Sequence, residues 1–185
     1  MVRYTMPRTL FDAYDPGETT FAISLSTLKG VLSVASDKVS IEIGDRVVFR
    51  TGNITRKVAI IEYDGQTPRM PDLKMDDVAV IDTKAVLKAL RTMDGAEAVT
   101  IRTDASGTTI VADGNVDSVE VLFEGCRLTE EIQASYPMSY FLDAMKHLPD
   151  SVVIRYSTDY PMVIAANDMG ATVEYLLAPR IEEKE

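Results

Sequence analysis

The feature that most constrains this chain is a recurring unit: an amphipathic helix followed by about three alternating strands, with helices starting near Ser26, Asp82 and Met138. Those starts fall about 56 residues apart. Self-similarity at a fixed period marks one supersecondary unit that cannot bury its apolar face alone and must pack it against a copy. The spacing predicts a first helix over Ser26–Ala35, with Ser26 as its N-cap. Leu28, Val31, Leu32 and Ala35 then line one face at the i, i+3, i+4, i+7 spacing. The second helix runs from the cap Asp82 through Arg91. The third spans Met138 to Leu148, with Met138, Phe141, Leu142 and Met145 on one face and Pro149-Asp150 as its stop.

Strand patterns fill the intervals. Val39–Ile43 alternates strictly, and Val47–Phe49 and Val58–Ile61 follow. After the second helix come Val99–Arg102, Thr109–Val111 and Val116–Phe123; after the third, Val152–Tyr156, Met162–Ile164 and Thr172–Leu177. Gly-Asp, Asp-Gly and Asn167-Asp168-Met169-Gly170 sequences supply the turns. The first and third units match most closely: Ser26–Ile41 aligns without gaps on Ser139–Ile154. Residues 64–77 belong to no unit; with Pro68 and Pro71, several acids and no periodicity, they read as an extended linker. The expected organisation is therefore a domain over 1–63, a connector over 64–77 and a longer domain over 78–185. Helices that each precede a run of strands give an α+β fold with antiparallel sheets.

Charge and motif content narrow the function. Twenty-nine acids against nineteen bases give a net charge of −10. That argues against a protein that grips nucleic acid with its whole surface, and leaves room for a local basic stripe. His147 is the single histidine and Cys126 the single cysteine, in unrelated elements, so neither a zinc set nor a Cys-His pair can be assembled. No phosphate-binding Gly-x-x-x-x-Gly-Lys-Ser/Thr or Gly-x-Gly-x-x-Gly run occurs. The expectation is a binding protein, not an enzyme, without cofactor or metal. The lone cysteine and the lack of a long apolar segment place it in the cytoplasm, away from membranes.

The C-terminal run Asp159-Tyr160-Pro161-Met162-Val163-Ile164, then Asn167-Asp168-Met169-Gly170, then Glu174–Glu182 with its Leu-Ala-Pro-basic-Ile-Glu ending, resembles archaeal and eukaryotic sliding clamps of the proliferating cell nuclear antigen (PCNA) type. Pro71-Asp72-Leu73 resembles that family's interdomain connector, and Val2–Met6 to Phe11–Tyr14 resembles a strand and turn in the middle of its first domain. The resemblance implies a clamp fold with sheets outside and helices lining an inner face. It also implies an incomplete first domain, because family members carry four helix-plus-strands units and this chain carries three. The chain is then either a shortened clamp or one whose Met1 is an internal methionine taken as the start; Met1-Val2 falling in mid-strand favours the second.

Three sites follow from the resemblance, each beside a plainer reading. Lys84, Lys88 and Arg91 are spaced four and three apart and share one stripe, with Lys29 and Lys146 on the polar faces of the other helices. In the family such helices face DNA phosphates without reading sequence; the plainer reading is a solvated helix face. Met70, Leu73, Pro161, Leu176, Ala178, Pro179 and Ile181 match a groove for short peptide motifs of polymerases, ligases, nucleases and the clamp loader. Otherwise they cap the second domain's core. Arg56, Lys57, Val58 and Ile60 on one strand, with Val116, Ser118 and Glu120 on another, match the seam of a head-to-tail homotrimer; otherwise both are ordinary edges. The function implied is a processivity clamp on duplex DNA, associated with the nucleoid. The alternative is a clamp-like adaptor that binds replication proteins or full-length clamp subunits without encircling DNA.

Overall fold

A computed structural model describes residues 1–15, 17, 20–35, 38–61, 71–73, 75, 79–124 and 131–180. The chain divides into two compact units. One joins residues 1–11 to residues 70–185, and the other comprises residues 12–69. The expected first domain, 1–63, is thus split after residue 11, because the N-terminal strand pairs with the C-terminal one. Most of the expected connector lies outside the described residues.

The larger unit is built from two interlocked halves. One half contains β5 (Ala79–Asp82), α2 (Thr83–Leu90), β6 (Ala98–Asp104), β7 (Gly107–Asp113) and β8 (Ser118–Phe123). The other contains β9 (Ile132–Pro137), α3 (Met138–Met145), β10 (Ser151–Arg155), β11 (Met162–Asp168) and β12 (Ala171–Leu177), and β1 (Val2–Thr5) joins the sheet of this half. The sheets run β1-β12-β11-β10-β5 and β8-β7-β6-β9, antiparallel throughout. The strand leading into each helix therefore crosses to the other half's sheet: β5 pairs with β10, and β9 with β6. The sequence pattern missed both crossing strands. Ile132-Gln133-Ala134-Ser135-Tyr136 mixes small and polar residues, and Ala79–Asp82 is only four residues long.

One core fills the space between the sheets and helices. Ile81, Val86, Leu90, Ile101, Phe141, Met145, Ile154 and Ile164 are all essentially inaccessible, so α2 and α3 present their apolar stripes as the periodicity predicted. The Thr103, Thr108, Tyr136 and Tyr156 hydroxyls buried in this core are paired: Thr103 Oγ1 lies 2.8 Å from Thr108 Oγ1 and 2.7 Å from the Tyr156 hydroxyl, and Tyr136 donates to the Tyr160 carbonyl at 2.8 Å. Burial pushes the Tyr136 phenol well above the ordinary tyrosine range. Gly107 has φ 144°, and a Cβ there would stand 2.4 Å from the Phe123 carbonyl oxygen, so only glycine closes the β6–β7 turn.

The smaller unit has α1 (Leu25–Leu32) and the sheet β2 (Ser40–Ile43), β3 (Arg46–Thr51), β4 (Ile54–Ala59), with a bridge between Ala22 and Ile61. Among the described residues its buried core holds Val31, Val47, Phe49 and Val58, with Phe21, Ile23, Leu28, Val39 and Ile60 partly covered against it. The helix cap lies two residues before the predicted one. Ser24, not Ser26, has extended φ/ψ and accepts from the Thr27 amide at 3.1 Å, and its hydroxyl also meets Ser26 and Thr27. The apolar spacing fits either serine, and the hydrogen bond decides between them. Asp82, by contrast, caps α2 as predicted, accepting from the Ala85 amide at 3.0 Å.

Replacing Ser24 by Ala should cost the smaller unit about 1 kcal/mol, as loss of a helix cap generally does. Ser26→Ala should cost under roughly 0.5 kcal/mol, the range of ordinary surface changes. Denaturant unfolding of the two variants checks the order, and equal losses would return the cap to Ser26.

Candidate nucleic-acid interface and partner surfaces

The helical basic residues sit as the spacing implied. Lys84, Lys88 and Arg91 are exposed while Thr83, Val86 and Leu90 are buried, so the stripe lies opposite the core face of α2. Lys29 on α1 and Lys146 at the C-cap of α3 are exposed too. Two of the five carry a local acid. Lys84 Nζ is 2.6 Å from Asp150 and Lys146 Nζ is 2.8 Å from Asp143. The hydrogen bond from Lys146 and its charge hold the Asp143 carboxyl below the ordinary aspartate range, and the bond to Asp150 raises Lys84. Lys29, Lys88 and Arg91 form no ion pair among the described residues. Asp143 and His147 are exposed beside Lys146, so the α3 surface is mixed in charge and the α2 surface is basic.

Three of the expected groove residues, Leu176, Pro161 and Ala178, fall on the sheet face opposite the core. Register places Val80 beside Val153, Val153 beside Ala165, and Ala165 beside Glu174; one step along, Arg155, Val163 and Leu176 form the next row. Strand alternation puts all of these on one face. Pro161 and Ala178 carry the same alternation past the ends of β11 and β12, since Met162 pairs with Leu177. The tail is tied down beyond that point: the Arg180 amide donates to the Ser135 carbonyl at 2.7 Å, and its guanidinium lies 3.5 Å from Glu97. Pro161, Leu176 and Pro179 are half-buried and Ala178 is exposed. Leu73 is half-buried in the short described stretch of the connector. Met70 and Ile181 lie outside the described residues. Sequence reasoning passed over Val80, which is 62% exposed on this apolar strip, because the strand carrying it was not recognised.

Among the described residues the two expected seam strands are both sheet edges: β4 pairs with β3, and β8 with β7. Their side chains differ in setting. Val58 is buried in the small core, and Ile60 lies just past the end of β4 and packs against that core. Arg56 lies over α1, where a Cβ on Gly30 would stand 2.9 Å from its Nη1. Val116 sits in the turn before β8, closed by the Gly114 amide donating to the Asp117 carbonyl, and is 91% exposed. Lys57 on β4, with Ser118 and Glu120 on β8, remain on the edge strands themselves. Within the chain, β1 and β12 form an antiparallel seam of the same kind, clipped by Arg3 donating to Glu174 at 2.7 Å. Among the described residues no group of three or more metal-ligating side chains occurs, and no helix is long and apolar enough to cross a membrane.

The chain is 28% identical to the DNA polymerase sliding clamp of Archaeoglobus fulgidus over its whole length and 82% of that protein. It is 26% identical to the sliding clamp of Methanococcus vannielii, covering 98% of this chain and 82% of that one. Among solved structures, the A. fulgidus PCNA bound to the C-terminal region of FEN-1 superposes with a TM-score of 0.86 and 25% identity, over 99% of this chain and 81% of that chain. This chain is a relative of the PCNA-type sliding clamps. PCNA from Thermococcus kodakaraensis shares the fold, with a TM-score of 0.79 at 21% identity over 97% of this chain and 81% of that one. No family model matches the chain. The sliding-clamp likeness covers nearly all of the chain, both compact units included.

Proposed function

We propose that this chain acts as a DNA sliding clamp, a processivity factor that tethers replication and repair enzymes to duplex DNA by binding and not by catalysis. The observation that carries this reading is the likeness to sliding clamps over essentially the entire chain, including a clamp solved with a segment of a nuclease. The chemistry of the surfaces agrees. Lys88 and Arg91 on α2, supported by Lys29, Lys84 and Lys146, meet phosphates, which requires charge without base-edge readout. The apolar strip of Val163, Leu176, Pro161 and Pro179 accepts the aliphatic and aromatic anchors of a short partner peptide, and the tail offers backbone for strand addition. Polymerase, ligase, nuclease and clamp loader would share this groove, with Leu73, Met70 and Ile181 completing it. The free edges of β4 and β8 pair between subunits in a homotrimer, repeating the β1–β12 pairing found inside one chain. In that arrangement Lys57 faces a strand carrying Glu120, which favours a head-to-tail contact.

Two results test the reading. Changing Lys88 and Arg91 together to Ala should reduce the salt slope of DNA binding by about 1 per residue removed. Lys84→Ala should change it less, because Asp150 already holds that ammonium. Fluorescence anisotropy across a salt series reads the slopes, and an unaltered slope in the double variant removes α2 from the DNA surface. Changing Ala178 and Pro179 to Asp should weaken binding of a clamp-interaction peptide by at least tenfold, about 1.4 kcal/mol. Calorimetry on the folded variant showing undiminished affinity would displace the groove from this face.

A further inference from the structure

The basic surface of α2 and α3 carries anions of its own, and the backbone holds them there. Asp150 lies 66 residues from Lys84 in the chain, yet its carboxylate meets the Lys84 ammonium at 2.6 Å. The Asp150 carbonyl accepts the Thr83 amide at 2.9 Å, and the Pro149 carbonyl accepts the Thr83 hydroxyl at the same distance. Thr83 is buried, so the residue beside Lys84 fixes Asp150 in place. Asp82, the cap of α2, adds its charge to the same ammonium. On α3, Asp143 stands one turn before Lys146, at the i,i+3 spacing where side chains meet, and pairs with it at 2.8 Å.

Both pairs are exposed to solvent, so each is weak and changes partner readily. Their effect on a third charge is what matters. A solvated lysine that meets a phosphate adds one net positive charge to the contact. A lysine already on a carboxylate exchanges one anion for another and brings that carboxylate up against the duplex. Counterion release scales with the phosphates neutralised, and a pair that is neutral as a whole neutralises almost none. Lys88 and Arg91, which form no ion pair among the described residues, deliver their full charge.

We propose that Asp143 and Asp150 are built-in competitors of DNA phosphate, which hold Lys146 and Lys84 in reserve and keep the grip on duplex DNA weak enough for movement along it. The role rests on the reading in which α2 and α3 face DNA, and it adds that carboxylates as well as bases set the strength of the contact. Each reserved lysine passes from a phosphate to its own carboxylate and on to the next phosphate. No ammonium is stripped of an anion during a step along the backbone, so successive positions differ little in energy.

The test titrates the full chain onto a fluorescein-labelled duplex across a salt series, read by anisotropy. Asp143→Asn and Asp150→Asn should each steepen the salt slope by about 1 and tighten binding roughly fivefold at about 0.1 M salt. Both side chains are about two-thirds exposed or more, and Asn keeps their size and the main-chain bonds to Thr83, so the variants keep the fold. The gain from Asp150→Asn should vanish when Lys84 is also changed to Ala, and the gain from Asp143→Asn when Lys146 is. Unchanged slopes in the Asn variants overturn the proposal, and so does a gain that persists without the lysine, since that gain reports net charge alone. The Lys88 and Arg91 double variant separates the two ways of failing. If it lowers the slope while the Asn variants change nothing, α2 faces DNA and only the competitor role falls; if neither set moves the slope, the DNA-facing reading falls as well.

Discussion

The exchange of leading strands between halves governs this structure. β5 leaves the half it introduces to hydrogen-bond β10, and β9 does the reverse to reach β6. Each helix is therefore followed by strands of its own half and preceded by a strand held in the other. A buried backbone edge without partners is costly, so neither half closes its sheet unless the other is present. The same exchange brings α2 and α3 side by side and seals Phe141, Met145 and Leu90 between two sheets. The smaller unit has one half of this arrangement, and among the described residues its core is correspondingly small.

Function follows from which faces the exchange leaves uncovered. With the apolar stripes of α2 and α3 turned inward, their remaining surface is polar, and on α2 it is basic. The sheet face away from the core keeps an apolar strip where β5, β10, β11 and β12 run alongside one another, and the anchored tail borders it. Among the described residues the edges of β4 and β8 are left without strand partners by sheet order alone. A protein of net charge −10 thus keeps a basic stripe on α2, and the proposed clamp function would use that stripe for phosphates, the apolar strip for partner peptides and the sheet edges for strand pairing.

Much of this was legible in the sequence because the helices are short, strongly periodic and bounded. Asp82 and the Pro149-Asp150 stop mark their ends chemically, and Asn167–Gly170 marks a turn that Gly170 closes by donating its amide to Asn167. What was not legible depends on partners distant in the chain. Ala79–Asp82 and Ile132–Pro137 become strands because β10 and β6 offer them edges, which no local pattern encodes. Ser24 and Ser26 are chemically alike, and only the helix axis selects between them. The five bases looked equivalent until Asp150 and Asp143, each placed by the end of α3, paired with two of them. The sequence did not show that Val58 and Ile60 pack on the small core, because that depends on strand alternation and on where β4 ends.

The central claim is that one half-unit cannot close its own sheet and that strand exchange is what protects the other two. Hydrogen exchange on the chain alone compares like with like, because β2 and β10 are counterparts in the repeat. The account predicts that amides of residues 152–155 exchange far more slowly than those of residues 40–43, since β10 lies between β5 and β11 while β2 is terminal. Equal protection of the two segments in dilute solution would contradict it.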